Sequence, residues 1–251
     1  MISIVALTAF GEIEPGHNLP GALAKAIQSA GIDLRPDDIA VVTQKIVSKA
    51  EGRFVDLATV EPSAEAMKLA DVTCKDPRLV ELVLAESDGV VRAAPNVLIT
   101  RHRSGHVMAN AGIDRSNLGP DGADRVLLLP ADGDESASRL REALRAFWPE
   151  PPAIVISDSF GRPWRMGVVN VAIGAAGLPS LIDKRGERDR DGRVLEVTQV
   201  ALADMVATAA GLATGEGAEG IPAALVRGVR WDAAPQPASA LVRPAAEDLF
   251  R

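Results

Sequence analysis

The sequence predicts a mixed α/β fold, and three observations support this prediction. Short apolar runs of strand length alternate along the chain with longer amphipathic segments of helix length. Clusters of Gly, Pro, Asp and Asn separate these segments, as expected for turns. The chain has 251 residues, of which 47% are hydrophobic and 24% are charged, so it can bury a substantial core. We therefore expect a globular protein with one large domain or two small ones.

In the first half of the chain, capping signals indicate where the helices begin. Pro20 lies in the first turn of one helix, Ser63 can cap a second, and Asp76 with Pro77 can start a third. Gly31 follows the end of the first. The predicted helices span residues 19–30, 63–70 and 76–86. The apolar runs predict strands over 2–7, 38–43, 90–92 and 97–100.

In the second half, the same reasoning predicts three further strands and two helices. One helix begins at Asp134 or Ser136 and ends near Phe147, and a buried strand then ends in a turn at Asp158. The predicted strands span 126–129, 153–156 and 221–227, and the second helix spans 198–213.

No internal repeat or low-complexity block is evident. We predict a single module over residues 1–251, or two lobes with a boundary near 130–152. Residues 231–251 are rich in Pro and Ala and are expected to form an extended tail.

Composition excludes several classes of protein. A net charge of −7 argues against a general nucleic-acid or anionic-membrane surface, because both require a basic face. The single cysteine, Cys74, cannot form an internal disulfide, and residues 1–5 lack the basic region of a secretory signal. No apolar stretch is long enough to span a bilayer. We expect a cytoplasmic protein with no membrane or nucleic-acid partner.

Two acidic motifs indicate a metal and phosphate site. Asp114 lies within residues 110–117, and Asp158 follows the strand predicted over 153–156. A lone Asp in such a turn is usually only a turn former. Together, with the oxygen-bearing Ser116, Asn117 and Ser159 beside them, they offer the ligands that Mg²⁺ or Mn²⁺ prefers. Open α/β sheets bind ligands at the carboxyl ends of strands, which favours this interpretation.

Basic residues accompany both motifs. Lys45 and Lys49 follow a buried strand, with Arg53 close behind, and the three either solvate a surface or neutralise a phosphate chain. Arg162 and Arg165 follow Asp158 and either clamp a phosphate or carboxylate or form a structural ion pair.

A Gly-rich turn completes the candidate set. Gly215, Gly217 and Gly220 match G-x-G-x-x-G, but the turn follows a helix and precedes a strand, which is the reverse of the dinucleotide-binding order. The chain also lacks the P-loop motif, so neither a Rossmann nor a P-loop fold is expected. The turn, with Glu216 and Glu219, is either a simple loop or a cradle for phosphate and metal.

Several blocks of the sequence, in order, resemble the coenzyme F-420-0:L-glutamate ligase family. They are residues 43–53, 110–117, 157–165, 172–174 and 183–193. The resemblance implies a GTP-dependent ligase that adds L-glutamate to the lactyl carboxylate of a deazaflavin precursor and then extends the γ-linked tail. It also implies divalent cations, a K⁺ requirement and an intertwined homodimer with a family-specific α/β fold. It covers the ligase module only, without the nitroreductase-like domain of some bacterial relatives.

The resemblance assigns site residues by position. Asp114 and Asp158 resemble the ligands of a first Mg²⁺ or Mn²⁺, and Ser159 and Glu216 those of a second, where the family often has Gln at the position of Glu216. Residues 9–12 read Ala-Phe-Gly-Glu where the family usually has Gly-Leu-Pro-Glu, so nucleotide preference stays open. The positions that resemble GTP contacts are Phe10, Gly11, Glu12, Ile13, Gln44, Lys45, Lys49, Asn117, Gly215, Gly217, Glu219 and Gly220.

The implied chemistry is phosphoryl transfer followed by amide formation. The precursor carboxylate attacks the γ-phosphate of GTP, and the glutamate amine then displaces phosphate from the acyl phosphate. Asp114, Asp158 and Lys45 are the expected catalytic residues, with Arg162 holding a substrate carboxylate. Two rival functions use the same residues: a metal-dependent phosphohydrolase that activates water, and a non-catalytic GTP-binding sensor.

Overall fold

Strands and helices alternate along most of the chain, which confirms the predicted mixed α/β class. The computed structural model describes residues 1–118 and 124–248. Within them the strands are β1 (Ser3–Leu7), β2 (Ile39–Thr43), β3 (Phe54–Asp56), β4 (Ser87–Ala94), β5 (Val97–His102), β6 (Val107–Ala109), β7 (Arg125–Leu127), β8 (Ala153–Arg162), β9 (Arg165–Ala176), β10 (Leu181–Asp183), β11 (Gln199–Ala201) and β12 (Ala223–Arg227). The α-helices are α1 (Leu19–Ser29), α2 (Gln44–Ala50), α3 (Ala64–Thr73), α4 (Pro77–Ala85), α5 (Gly133–Ala143) and α6 (Leu202–Thr214).

A five-stranded sheet forms the centre of the described chain, in the order β1-β12-β2-β8-β9. Strands β2 and β8 are parallel, and the other neighbours are antiparallel. Side chains alternate across β2, so Ala40 and Val42 join the apolar core with α1 and α5, while Ile39 and Val41 join the core under α6. Helices therefore cover both faces of the sheet, in three layers.

Most predicted helix starts agree with the structure. The side chains of Ser63 and Asp76 accept hydrogen bonds from backbone N–H groups in the first turns of α3 and α4. The predicted start of α5 at Asp134 or Ser136 is wrong by part of a turn, because Asp132 is the cap and accepts from the N–H of Glu135 at 2.9 Å. Asp134 has another role, accepting N–H hydrogen bonds from β9 and from the C-terminal segment.

The predicted turn at Asp158 is also wrong. Strand β8 continues past Asp158 to Arg162, because its polar second half pairs antiparallel with β9. The chain reverses only at residues 163–164, where Trp164 adopts a left-handed φ of 59°. Asp158 therefore lies within a long β-hairpin, where the ladder of backbone hydrogen bonds holds its position.

A third apolar cluster lies between α2 and α5 in the sequence. Its members come from α3, α4, β5, β7 and the segments beside them, with Val80, Val83 and Val126 fully buried. From residue 231 to residue 248 the C-terminal segment contains 3₁₀ turns at Ala238–Leu241 and Ala245–Glu247, and neither an α-helix nor a strand. Residues 249–251 of the predicted tail lie outside the described residues. In the part of the chain that the structure describes, no helix combines the length and the apolar character needed to cross a bilayer.

Candidate active site

A cleft of about 580 Å³ opens beside the carboxyl end of β2. Thr43, the last residue of β2, pairs with Ser157 on the parallel strand β8, and its N–H donates to the carbonyl of Pro222 at 2.9 Å. These contacts bring the start of α2, the middle of β8 and the turn before β12 to one place. The loop at residues 10–13 and the loop at residues 114–117 complete the walls.

Asp114 is fixed in the cleft by both its backbone and its side chain. Its N–H and C=O form two hydrogen bonds of 2.9 Å with Leu127 on β7. Its Oδ2 lies 2.7 Å from the Nζ of Lys45, and its Oδ1 accepts hydrogen bonds from the N–H and the hydroxyl of Ser116. Burial alone would raise the pKa of Asp114. The hydrogen bond and positive charge of Lys45, together with the two hydrogen bonds from Ser116, instead hold that pKa below its ordinary value.

Asp158 has the opposite electrostatic character. Burial raises its pKa to about 7, although a backbone hydrogen bond from Ser159 lowers it. The negative charges of Asp114 and Glu216 also raise this pKa, and the positive charge of Lys45 opposes them. Among the described residues, no Lys, Arg or His forms an ion pair with Asp158. A carboxylate that faces other carboxylates in this way is well suited to bind a cation.

Helix α2 supplies the cations of the cleft. Lys45 and Lys49 are four residues apart and therefore share one face of the helix. The Nζ of Lys49 lies 2.5 Å from the Oε1 of Glu12 on the opposite wall. Arg53, which the sequence grouped with these lysines, points elsewhere: its Nε donates to the carbonyl of Leu129, and its guanidinium pairs with Glu86.

The Gly-rich turn between α6 and β12 forms another wall. Gly215 adopts a φ of 71°, and a Cβ at this position would overlap the carboxyl group of Glu219. That carboxyl group folds back to accept a hydrogen bond from the N–H of Gly217 at 2.7 Å. Glu216 is left exposed toward the cleft, so the turn presents one unengaged carboxylate beside Asp158.

The structure brings nearly all of the predicted site residues to this cleft. Asp114, Asp158, Lys45, Ser159 and Glu216 line it, as do all the positions that resemble GTP contacts. Arg162 does not line it. It lies farther along the hairpin, where its guanidinium donates to the carbonyl of Met166 at 2.9 Å.

Asn170 is a cleft residue that the sequence analysis missed. It is buried on β9 directly opposite Ser159, and its backbone carbonyl accepts a hydrogen bond from the hydroxyl of Thr208. A Cβ on Gly211 of α6 would overlap the amide nitrogen of Asn170, so this glycine makes room for the side chain. An Asn in an apolar strand and a Gly within a helix are the two signals that could have indicated it.

Fold and cleft together define an α/β protein in which carboxylates and lysines from distant segments face one another. A family model described as F420-0:Gamma-glutamyl ligase matches residues 8–228. The chain therefore belongs to the F420-0:gamma-glutamyl ligase family, which confirms the resemblance seen in the sequence.

Curated relatives agree with the family assignment. The chain is 42% identical to the coenzyme F420:L-glutamate ligase of Methanopyrus kandleri over 244 residues, covering 96% of this chain and 94% of the relative. It is 41% identical to the ligase of the same name from Methanothermobacter thermautotrophicus over 255 residues, covering 100% of this chain and 99% of the relative. The similarity thus extends over the whole cleft.

Proposed function

We propose that this chain catalyses the GTP-dependent ligation of L-glutamate to the deazaflavin precursor coenzyme F420-0, and the γ-linked extension of the product. The observation that carries the proposal is the convergence of Lys45, Asp114 and Asp158 at one cleft. These residues come from three separate segments of a chain whose curated relatives are named as this ligase. We also propose that residues 1–251 act as one ligase module.

The cleft suits divalent cations that bind together with a nucleotide. In the described part of the chain, no three His, Cys, Asp or Glu side chains converge closely enough to hold a metal ion by themselves. Mg²⁺ commonly uses only one or two carboxylates and takes its other ligands from phosphates and water. Asp114 and Asp158 would provide these carboxylates for one ion, and Ser159 and Glu216 would serve a second.

The charged side chains of the cleft support the binding of divalent cations together with a nucleotide. The described lining includes the carboxylates of Glu12, Asp114, Asp158, Glu216 and Glu219, against the ammonium groups of Lys45 and Lys49. A nucleoside triphosphate would add further negative charge, so its binding requires cations beyond these two lysines. When bound, Mg²⁺ or Mn²⁺ would screen the phosphate oxygens and favour phosphoryl transfer.

The chain's own groups would position the reactants. Lys45 and Lys49, on one face of α2, would bind phosphate oxygens, and Gln44 beside them is oriented by a 2.9 Å hydrogen bond from Ser48. The backbone N–H groups of the Gly-rich turn would contact the nucleotide.

The reaction requires no protein nucleophile. A carboxylate oxygen of the precursor attacks the γ-phosphorus, and the bond between that phosphorus and the β,γ-bridging oxygen breaks to release GDP. The glutamate amine then attacks the carbonyl carbon of the acyl phosphate, loses a proton and expels inorganic phosphate.

A homodimer and K⁺ are further parts of the proposal. Two large apolar side chains at the tip of the β8–β9 hairpin are strongly exposed, Trp164 at 82% and Met166 at 97%. Such side chains at the end of a long hairpin suit contact with a second copy of the chain. K⁺ follows from the family resemblance.

The experiment that tests the function measures GDP release and product mass. The purified protein receives GTP, Mg²⁺ or Mn²⁺, K⁺, L-glutamate and the precursor, with each component omitted in turn. Turnover that requires GTP, glutamate and the precursor, with a product heavier by glutamyl units, supports the ligase. GTP loss without glutamate would indicate a phosphohydrolase, and GTP binding without turnover would indicate a sensor.

A further inference from the structure

Ser116 occupies the junction between the Asp114 carboxylate and the Lys45 ammonium group. Its N–H and its hydroxyl donate to Oδ1 of Asp114 at 2.7 and 2.8 Å. Its hydroxyl and carbonyl oxygens accept from the Nζ of Lys45 at 2.9 and 3.2 Å. One residue therefore contacts both charged groups with its side chain and with its backbone.

This arrangement determines which way the carboxylate faces. Two donors from Ser116 engage Oδ1, so the rotation of the carboxylate about χ2 is restricted and Oδ2 faces Lys45 within the cleft. The serine hydroxyl has one proton, which it donates to Asp114, and its oxygen accepts a hydrogen bond from the Nζ of Lys45. Without the hydroxyl, Ser116 would contact Asp114 only through its N–H and Lys45 only through its carbonyl oxygen. Both charged side chains would then sample more orientations.

Ser116 is exposed and belongs to none of the apolar clusters. Its hydroxyl therefore contributes little to the packing of the core, since surface positions usually change stability by less than about 0.5 kcal/mol. The orientation of the two charged groups is the property that depends on it.

We propose that Ser116 is a positioning residue that orients Asp114 for cation binding and places Lys45 beside it. This inference rests on the proposed function, because it takes Asp114 as a ligand of Mg²⁺ or Mn²⁺. Residues that hydrogen-bond to metal ligands typically change metal affinity 10- to 100-fold when they are lost.

The test measures Mn²⁺ binding to the full chain with a non-hydrolysable GTP analogue present, through the electron paramagnetic resonance signal of free Mn²⁺, after subtraction of the Mn²⁺ that the analogue binds alone. We expect Ser116→Ala to weaken binding about 10-fold. Ser116→Thr retains the hydroxyl and should therefore lose less than the roughly 10-fold expected when such a partner is removed. The matched control is Ser104→Ala, which removes a serine hydroxyl that bridges His102 and His106 outside the cleft and should leave Mn²⁺ binding unchanged.

Asp114→Asn separates a failure of this inference from a failure of the metal assignment. If Asp114→Asn loses Mn²⁺ binding while Ser116→Ala binds like the wild type, the role of Ser116 is overturned and the metal assignment stands. If the wild type binds Mn²⁺ no more tightly than Asp114→Asn, the metal assignment fails and the inference fails with it. Equal losses in Ser116→Ala and Ser116→Thr, with lowered melting temperatures, would indicate a merely structural role and would also overturn it.

Discussion

The Nζ of Lys45 lies 2.7 Å from the Oδ2 of Asp114 across the cleft. Both side chains are about one quarter exposed, at 25% and 24%, so the pair is accessible to a ligand and yet partly shielded from water. Lys45 comes from α2 and Asp114 from the loop that precedes β7. Their contact joins the central sheet to the region that contains the third apolar cluster.

Replacement of Lys45 by Met should reduce glutamyl product formation about 100-fold or more. The change removes the charge and keeps most of the side-chain length, and the loss of one preorganised donor at a reacting group typically costs 10²–10³ in kcat. Lys25→Met, on the exposed face of α1, is the matched control. Equal product formation by Lys45→Met and the control, measured by mass spectrometry, would contradict the role of Lys45.

Asp158→Asn should stabilise the metal-free protein at alkaline pH. Burial, with the charges of Asp114 and Glu216, raises the pKa of Asp158 from 3.8 to about 7. The folded protein therefore holds this proton more tightly than the unfolded chain does. The contribution of this proton to the free energy of unfolding is fully present below pH 3.8 and is lost as the pH rises through 7. At 1.36 kcal/mol per pKa unit, the difference is at most about 4 kcal/mol.

Urea denaturation in a metal chelator at pH 5 and at pH 8 would check this expectation. The gain in the free energy of unfolding from Asp158→Asn should be larger at pH 8 than at pH 5. A gain that does not depend on pH would show that Asp158 does not titrate as its surroundings indicate.

Gly174→Ala should destabilise the fold strongly. A Cβ at Gly174 would overlap the carbonyl oxygen of Gly133 at the start of α5, and this oxygen belongs to the backbone and cannot move aside. Overpacking of this kind typically costs about 1–3 kcal/mol. Gly161→Ala, on the neighbouring strand with nothing within 4 Å of its Cβ, should be close to neutral. Similar melting temperatures for the two variants would contradict the close approach of α5 and β9.

An isotope experiment tests the acyl phosphate. With ¹⁸O in the reacting carboxylate of the precursor, the proposed reaction transfers one labelled oxygen to the released phosphate, because the carboxylate oxygen becomes the bridge to phosphorus. Mass spectrometry of the phosphate should show one ¹⁸O for each bond formed. Unlabelled phosphate from a labelled precursor would exclude this intermediate.

Local signals in the sequence predicted five of the six described α-helices, but not α2 or the strands β3, β6, β9, β10 and β11. The resemblance to the ligase family, rather than local pattern, indicated most of the positions that line the cleft. Ser63 and Asp76 predicted their helices because capping depends on neighbouring residues alone. The length of β8 could not be predicted, because Asp158 is held in a strand by pairing with β9 rather than by its own neighbours.

The ion-pair partners of charged side chains also could not be predicted from the sequence. Arg53 and Lys49 are close in sequence, yet one pairs with Glu86 and the other with Glu12. Asn170 enters the cleft only because Gly211, on a different element, leaves room for it. These contacts depend on the packing of distant segments, which local patterns do not encode.

The most direct test of the account compares glutamyl product formation by the wild type and by Asp158→Asn, with GTP, Mn²⁺, K⁺, L-glutamate and the precursor at saturation. Circular dichroism establishes that the variant folds, and Asp71→Asn, on the exposed face of α3, controls for the loss of a carboxylate. The account predicts that Asp158→Asn is folded and loses roughly 99% of product formation, consistent with the loss of one catalytic group. Near-normal ligation by a folded Asp158→Asn protein would contradict the assignment of this cleft as the site of the reaction.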